Sequence, residues 1–122
     1  MSGDTLRPVE WVASSKVDLK RFPEAVRARV GFAIYQAQAG LRHRDAKSLK
    51  GFGSGVLEVV SRYDGDTFRA VYTVRFEAAV YVLHAFQKKA KRGAATPKRE
   101  LDVVRRRLRA AERHYRDTHG GD

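Results

Sequence analysis

Three apolar segments between residues 56 and 86, joined by little more than turn residues, constrain this 122-residue chain more than anything else in it. Residues 56–61 lead into Asp64-Gly65, a pair suited to the left-handed central positions of a tight hairpin turn. Residues 67–76 place Phe68, Ala70, Tyr72, Val74 and Phe76 on one face and Arg69, Val71, Thr73 and Arg75 on the other, because successive strand side chains alternate. In residues 79–86, Val80, Val82, His84 and Phe86 alternate with Tyr81, Leu83 and Ala85. Both faces of that segment are apolar, as expected of a central strand covered on one side and partly on the other.

Helical signals flank the strands. Residues 9–12 suit a short edge strand, and Ser15-Lys16-Val17-Asp18 has the spacing of a capping box. Pro23 fits a first helical turn, and Val26, Val30, Ala33, Ile34 and Ala37 then form one apolar stripe ending near Gly40. Residues 41–55 read as a basic, glycine-spaced connection in which Gly51-Phe52-Gly53-Ser54-Gly55 brings Lys50 toward the sheet. Past Gly93-Ala94-Ala95, Thr96 and Pro97 suit an N-cap and a first helical residue. Leu101, Val104, Leu108, Ala111 and Tyr115 recur at helical spacing after them. The expectation is an α+β fold: a small antiparallel sheet of four strands, counting the N-terminal one, with helices packed on it.

Length and a hydrophobic content of 43% allow one core, so residues 1–122 are expected to form one domain, its core spanning about 11–115 with flexible termini. There is no cysteine, which excludes disulfides and thiolate chemistry, and histidine occurs only at 43, 84, 114 and 119. No metal or other cofactor is therefore expected. No apolar run approaches the roughly 20 residues of a membrane span, and no signal-type stretch opens the chain. The expectation is a cytoplasmic protein without a membrane partner.

The formal net charge is +11, and between Lys88 and Arg116 twelve basic residues face three acidic ones. Charge gathered in this way points to a polyanionic partner, either nucleic acid or an acidic protein, while a merely solubilising face would mix signs more evenly. His84 near the end of the third strand, Arg69 in its neighbour, and Lys88 and Lys89 at the strand exit form a set able to act on a phosphodiester. Cleavage of RNA without a metal needs a base for the 2′-hydroxyl, positive charge on the phosphorane, and an acid for the leaving 5′-oxygen. His84 is the candidate proton-transfer group; Arg69, Lys88 and Lys89 are the candidate charge. Lys50, Arg62, Arg75, Lys98 and Arg99 are candidates for holding RNA. Each has a structural alternative: His84 as a satisfied strand residue, Arg69 paired with Glu58 or Glu77, the lysines as guards on a strand end, and Phe52 and Phe86 as packing. Tyr63, near the hairpin tip, is a candidate base-stacking platform.

Several stretches in order carry a resemblance. Leu49-Lys50-Gly51-Phe52-Gly53, Glu58, the run from Asp64 to Tyr72, Tyr81-Val82-Leu83-His84-Ala85-Phe86-Gln87-Lys88-Lys89 and Thr96-Pro97-Lys98 are similar to the phage-derived Gp49-like branch of the RelE/HigB toxins. The likeness covers about residues 11–115. It implies a RelE-like sheet with an N-terminal helical unit and a C-terminal basic amphipathic helix. It further implies the toxin of a type II toxin–antitoxin system, an endoribonuclease (mRNA interferase) that acts on mRNA, commonly on the ribosome, and inhibits translation. The implied partner is a cognate antitoxin, a helix-turn-helix protein of HigA-like type, in an oligomeric complex. By position, Arg69 matches the sheet arginine that contacts the scissile phosphate. Lys50 matches the basic position before the sheet, and His84, Lys88 and Lys89 match the strand-to-tail signature. The chain departs where many relatives carry Glu-Leu-Arg: here the residues are Glu58-Val59-Val60, with Arg62 and Arg75 as the replacement charges. Two other readings stand beside this one, a non-catalytic nucleic-acid-binding regulator and a structural protein of a phage particle.

Overall fold

A computed structural model describes residues 5–88 and 96–120. In chain order the elements are β1 (Val9–Trp11), α1 (Ser15–Lys20), α2 (Glu24–Gln38), β2 (Ala46–Ser48), β3 (Val56–Tyr63), β4 (Asp66–Thr73), β5 (Val80–Lys88) and α3 (Lys98–Thr118). They build an α+β fold around one sheet of strand order β1-β5-β4-β3-β2. The sheet has five strands where four were expected, and it is mixed: β1 runs parallel to β5, and the other pairings are antiparallel. β2 lies inside the stretch expected to be a connection. Its three residues are too few to show alternation, and its ladder to Leu57, Glu58 and Val59 fixes it.

Each face of the sheet carries its own core. Helices α1 and α2 cover one, where Val26, Val30, Ala33 and Ile34 meet Val59, Ala70, Tyr72 and Val82. Helix α3 crosses the other, where Val104, Leu108 and Ala111 meet Val56, Val71, Tyr81 and Leu83. β5 is thus covered on both faces, as its composition requires.

Alternation along β5 is interrupted. Tyr72 pairs with Val82 and Val71 with His84, so Leu83 is an extra residue without an opposite number. Such a bulge sets two residues of one strand against one of the next and reverses the sides taken by everything after it. Val80, Val82 and Ala85 therefore share the α1–α2 core, while Tyr81, Leu83 and Phe86 belong to the α3 side. His84 goes with the second group, its ring stacked on Phe86 at 4.7 Å. Strict alternation had placed His84 and Phe86 with Val80 and Val82; one inserted residue overturns that.

Local hydrogen bonds settle the helix ends, in two cases against expectation. Helix α1 has no capping box: the Ser15 hydroxyl donates to the Val82 carbonyl at 3.1 Å, while Ser14 donates to Asp18 at 2.7 Å. The longer-range bond uses the serine to pin α1 onto β5. Thr96 likewise leaves α3 uncapped, Pro97 taking the cap position without a side-chain bond. Helix α2 ends as foreseen. Leu41 N–H donates to the Gln36 carbonyl and Gly40 N–H to that of Ala37, with Gly40 left-handed at φ 82°. The β3–β4 turn has φ 51° at Asp64 and 85° at Gly65, the conformation that pair favours.

Tyr72 is fully buried, and burial pushes its hydroxyl up to about 12. That hydroxyl has no hydrogen-bond partner among the described residues. An unmet buried donor costs about 1–3 kcal/mol. Tyr72→Phe is expected to raise the unfolding free energy by about 1 kcal/mol, read from urea denaturation; a clear loss of stability would show that the hydroxyl is satisfied.

Candidate active site

Cross-strand register arranges the α3 side of the sheet in rows. Arg62, Thr67 and Lys88 form the outermost row, then Val60, Arg69 and Phe86, then Glu58, Val71 and His84, with Lys47 of β2 beside Glu58. Direct cross-strand neighbours have Cβ atoms about 5 Å apart. The approach to α3 and its first turn meet the sheet at the two inner rows, Thr96 on Arg69 and Glu58 and Glu100 on His84, and the row of Arg62, Thr67 and Lys88 lies outermost.

Arg69 is buried and bound on both sides. Its guanidinium donates to Glu58 Oε1 at 3.1 Å and to Thr96 Oγ1 at 3.3 Å, and Thr96 in turn donates to Glu58 Oε2 at 2.7 Å. Thr96 does not cap its own helix: its hydroxyl donates to the Glu58 carboxylate and accepts from the Arg69 guanidinium in place of a helix amide. The arrangement also realises one structural alternative for Arg69, pairing with Glu58. The result is a fixed guanidinium beside a fixed carboxylate, at the border of a basic rim.

His84 is held at both nitrogens, with Nε2 2.7 Å from Glu100 Oε1 and Nδ1 3.3 Å from Arg107 Nη1. A guanidinium can only donate, so Nδ1 is the acceptor and Nε2 carries the proton toward Glu100. Burial holds the imidazole below its ordinary value. The bond to Glu100 opposes that shift, and the positive Arg107 reinforces it. Arg107 also donates to the Leu83 carbonyl at 3.0 Å and to Ser14 Oγ at 3.1 Å. His84 thus sits in a polar clasp joining β5, α3 and the start of α1.

The remaining sequence candidates divide. Arg62 is exposed and Lys88 half-buried, and both lie in the outer row with Arg69 next to it. Tyr63 is 45% exposed at the adjoining turn. Lys98 and Arg99 are exposed on the first turn of α3, Lys98 paired with Asp102. Lys50 is exposed in the turn after β2, near the Val56 end of β3 and so at the far end from Arg62. Arg75 is not brought to the group: it donates to the carbonyls of Phe52 and Ser54 and pairs with Glu112 at 3.1 Å. Phe52 is buried beneath Arg105, whose guanidinium lies 4.5 Å from the ring. Lys89 lies outside the described residues.

Residues 17–109 match the family described as phage derived protein Gp49-like (DUF891). The chain belongs to that family. Among solved structures, this Gp49-like protein resembles an arginine-to-alanine double mutant of the E. coli toxin RelE in the free state. The TM-score is 0.57 at 14% identity, over 86% of this chain and 97% of that one. It therefore has a RelE-like fold. A toxin–antitoxin complex, RelBE2 of Mycobacterium tuberculosis, also matches, with TM-score 0.45 and 20% identity over 71% of this chain and 97% of that one. None of the curated proteins matches. No described helix is long and apolar enough to cross a membrane.

Three site residues of the Gp49-like chain escaped sequence reasoning as parts of the site. Thr96 was taken up by its capping signal, Glu58 was considered only as a partner for Arg69, and Lys47 sits in the strand that was not foreseen. The hairpin register could have found Glu58, since Asp64-Gly65 sets it on the same face as Arg69. Two outcomes are expected. Glu58→Leu strands a buried guanidinium and should cost about 3 kcal/mol in urea denaturation, most of it regained by adding Arg69→Met. A second change that regains nothing would show that the pair is not coupled. Because the folded pKa of His84 is depressed, its contribution to stability is present above its unfolded value near 6.5 and is lost as pH falls toward the folded value. His84→Gln should flatten that part of the Tm-against-pH curve, and an unchanged curve would rule out His84 as its source.

Proposed function

We propose that this chain is the cytoplasmic toxin of a type II toxin–antitoxin pair, a metal-independent endoribonuclease that cuts mRNA on the ribosome and so inhibits translation. The observation that carries the reading is the immobilised Arg69 guanidinium set between a carboxylate and a basic rim, on a fold shared with the E. coli RelE toxin. A guanidinium fixed in this way holds its positive charge in place, which is where a transition state rich in negative charge gains most.

In the proposed reaction the 2′-oxygen of the substrate, its proton taken by a base, attacks the adjacent phosphorus and the P–O5′ bond breaks; the leaving 5′-oxygen takes a proton from solvent water at the exposed rim, giving a cyclic phosphate and a 5′-hydroxyl. Arg69 stabilises the phosphorane, while Lys88, Arg62 and the neighbouring Lys89 steer and hold the strand, with Lys98 and Arg99 beyond them. Glu58 is the base best placed to take the 2′-proton, since an ionised carboxylate accepts more bonds than the two it makes here. His84, already an acceptor at one nitrogen and a donor at the other, serves as a positioning residue that holds α3 against the sheet. The rim cations are assigned the charge that the reaction needs. The partner in this reading is a helix-turn-helix antitoxin.

One observation favours a second reading, a nucleic-acid-binding regulator that does not cut: Arg69 is engaged by Glu58 and Thr96, and Val60 stands beside it where many relatives have arginine. Induced expression separates the two. The toxin reading expects growth arrest and new mRNA 5′-ends inside translated messages, relieved by co-expressing the neighbouring gene. Lys88→Gln with Lys89→Gln should lower cleavage at least about tenfold without changing Tm, and Arg69→Gln with Glu58→Gln should abolish it in a folded chain. Normal growth and unchanged ends at verified soluble expression would establish the regulator instead.

A further inference from the structure

The arginines of this chain fall into two groups. Arg7, Arg29, Arg42, Arg69, Arg75 and Arg107 are each engaged by a carbonyl or carboxylate. The second group concentrates on α3. Arg99, Arg106, Arg109, Arg113 and Arg116 are all exposed, and none makes an ion pair or hydrogen bond among the described residues. Their spacings of 7, 3, 4 and 3 put them on one stripe, opposite the apolar stripe of Val104, Leu108 and Ala111 that faces the sheet. Two acidic residues share the line, Asp102, which pairs with Lys98 at 3.1 Å, and the exposed Asp117 near the C-terminal end, so five arginines stand against two carboxylates. At 1.5 Å rise per residue the stripe is about 25 Å long and straight.

We infer that this stripe is a second nucleic-acid site, which docks the phosphate rows of double-helical RNA. Guanidinium groups in a straight row match the regular phosphates of a duplex. Single strands are held mainly by stacking on exposed aromatic rings, and the stripe offers none. The large exposed aromatics, Phe32, Tyr35 and Tyr63, lie on α2 and at the β3–β4 turn instead. A surface that reads phosphates alone discriminates little by sequence and depends strongly on salt. The inference holds whether or not the sheet rim cuts RNA, since it is tested as equilibrium binding through Arg106, Arg109 and Arg113, which take no part at the rim.

The test is fluorescence anisotropy with a labelled blunt RNA duplex of about 16 base pairs. Arg106, Arg109 and Arg113 are changed together to Gln, which keeps helix propensity, and folding is checked by circular dichroism and thermal melting. Affinity is expected to fall about tenfold or more near 0.1 M salt, with the slope of log K against log salt reduced in magnitude by about 2–3. Changing the exposed Lys20, Arg21 and Arg27 to Gln removes equal charge from the α1–α2 side and should alter affinity less than about threefold. Equal losses in the two triples would overturn the inference in favour of undirected attraction. Tighter binding of poly-L-glutamate than of duplex, lost with the stripe, would overturn it in favour of an acidic protein partner. Should the stripe triple not fold, Arg113→Gln with Arg116→Gln gives the same reading at smaller amplitude, and an unchanged affinity there overturns the inference.

Discussion

β5 is bonded on both edges and covered on both faces, and the rest of the molecule is arranged around that. Its neighbours are β1 on one edge and β4 on the other. The Val82 carbonyl alone receives the Val12 N–H at 3.0 Å and the Ser15 hydroxyl at 3.1 Å, fixing β1 and α1 together. On the far side, Arg107 of α3 reaches the Leu83 carbonyl. The Val82 carbonyl lies on the β1 edge, while that of Leu83 lies at the bulge, where a residue without a cross-strand partner leaves a backbone group for a side chain to bond.

Two sets of polar groups on the α3 side stand out among the described residues. One joins Arg69, Glu58 and Thr96; the other joins His84, Glu100, Arg107 and Ser14. Both tie α3 or its approach to the sheet through charge-assisted bonds, and both sit under a helix whose outer surface is almost wholly basic. Buried charge in this protein serves geometry, and exposed charge is left available for a partner. The division follows from cost: a buried ion must be matched, whereas water screens the exposed ones.

Much of this was legible in the sequence. Alternation in β4 put Arg69 on the side opposite Phe68 and Ala70, the Asp64-Gly65 pair gave the turn and hence the β3–β4 register, and the stripes of α2 and α3 gave their buried faces. What could not be read was whatever depends on a distant partner. The bulge at Leu83 leaves no mark on a segment apolar on both faces, since either alternation is equally apolar. Ser15 and Thr96 carry strong capping signals, yet each hydroxyl found a tertiary acceptor, and local rules cannot weigh a bond across 67 or 38 residues of chain. Of the candidate site, the residue types were visible, and Glu58 stood as one of two possible partners for Arg69; that Thr96 joins them and that Arg75 is occupied elsewhere became clear only from the assembled sheet.

The extra residue at Leu83 gives β5 two reading frames. Upstream, even-numbered side chains enter the α1–α2 core; downstream, they turn toward α3 and the basic rim. Substitutions can therefore retune either end of the strand independently. Loss of Leu83 itself would close the bulge into one regular alternation in which Ala85, Phe86 and Lys88 keep their sides, while the α3-side core loses the Leu83 side chain. Point changes can alter what the rim does, whereas a residue added between His84 and Lys88 would turn Lys88 to the opposite face of the sheet.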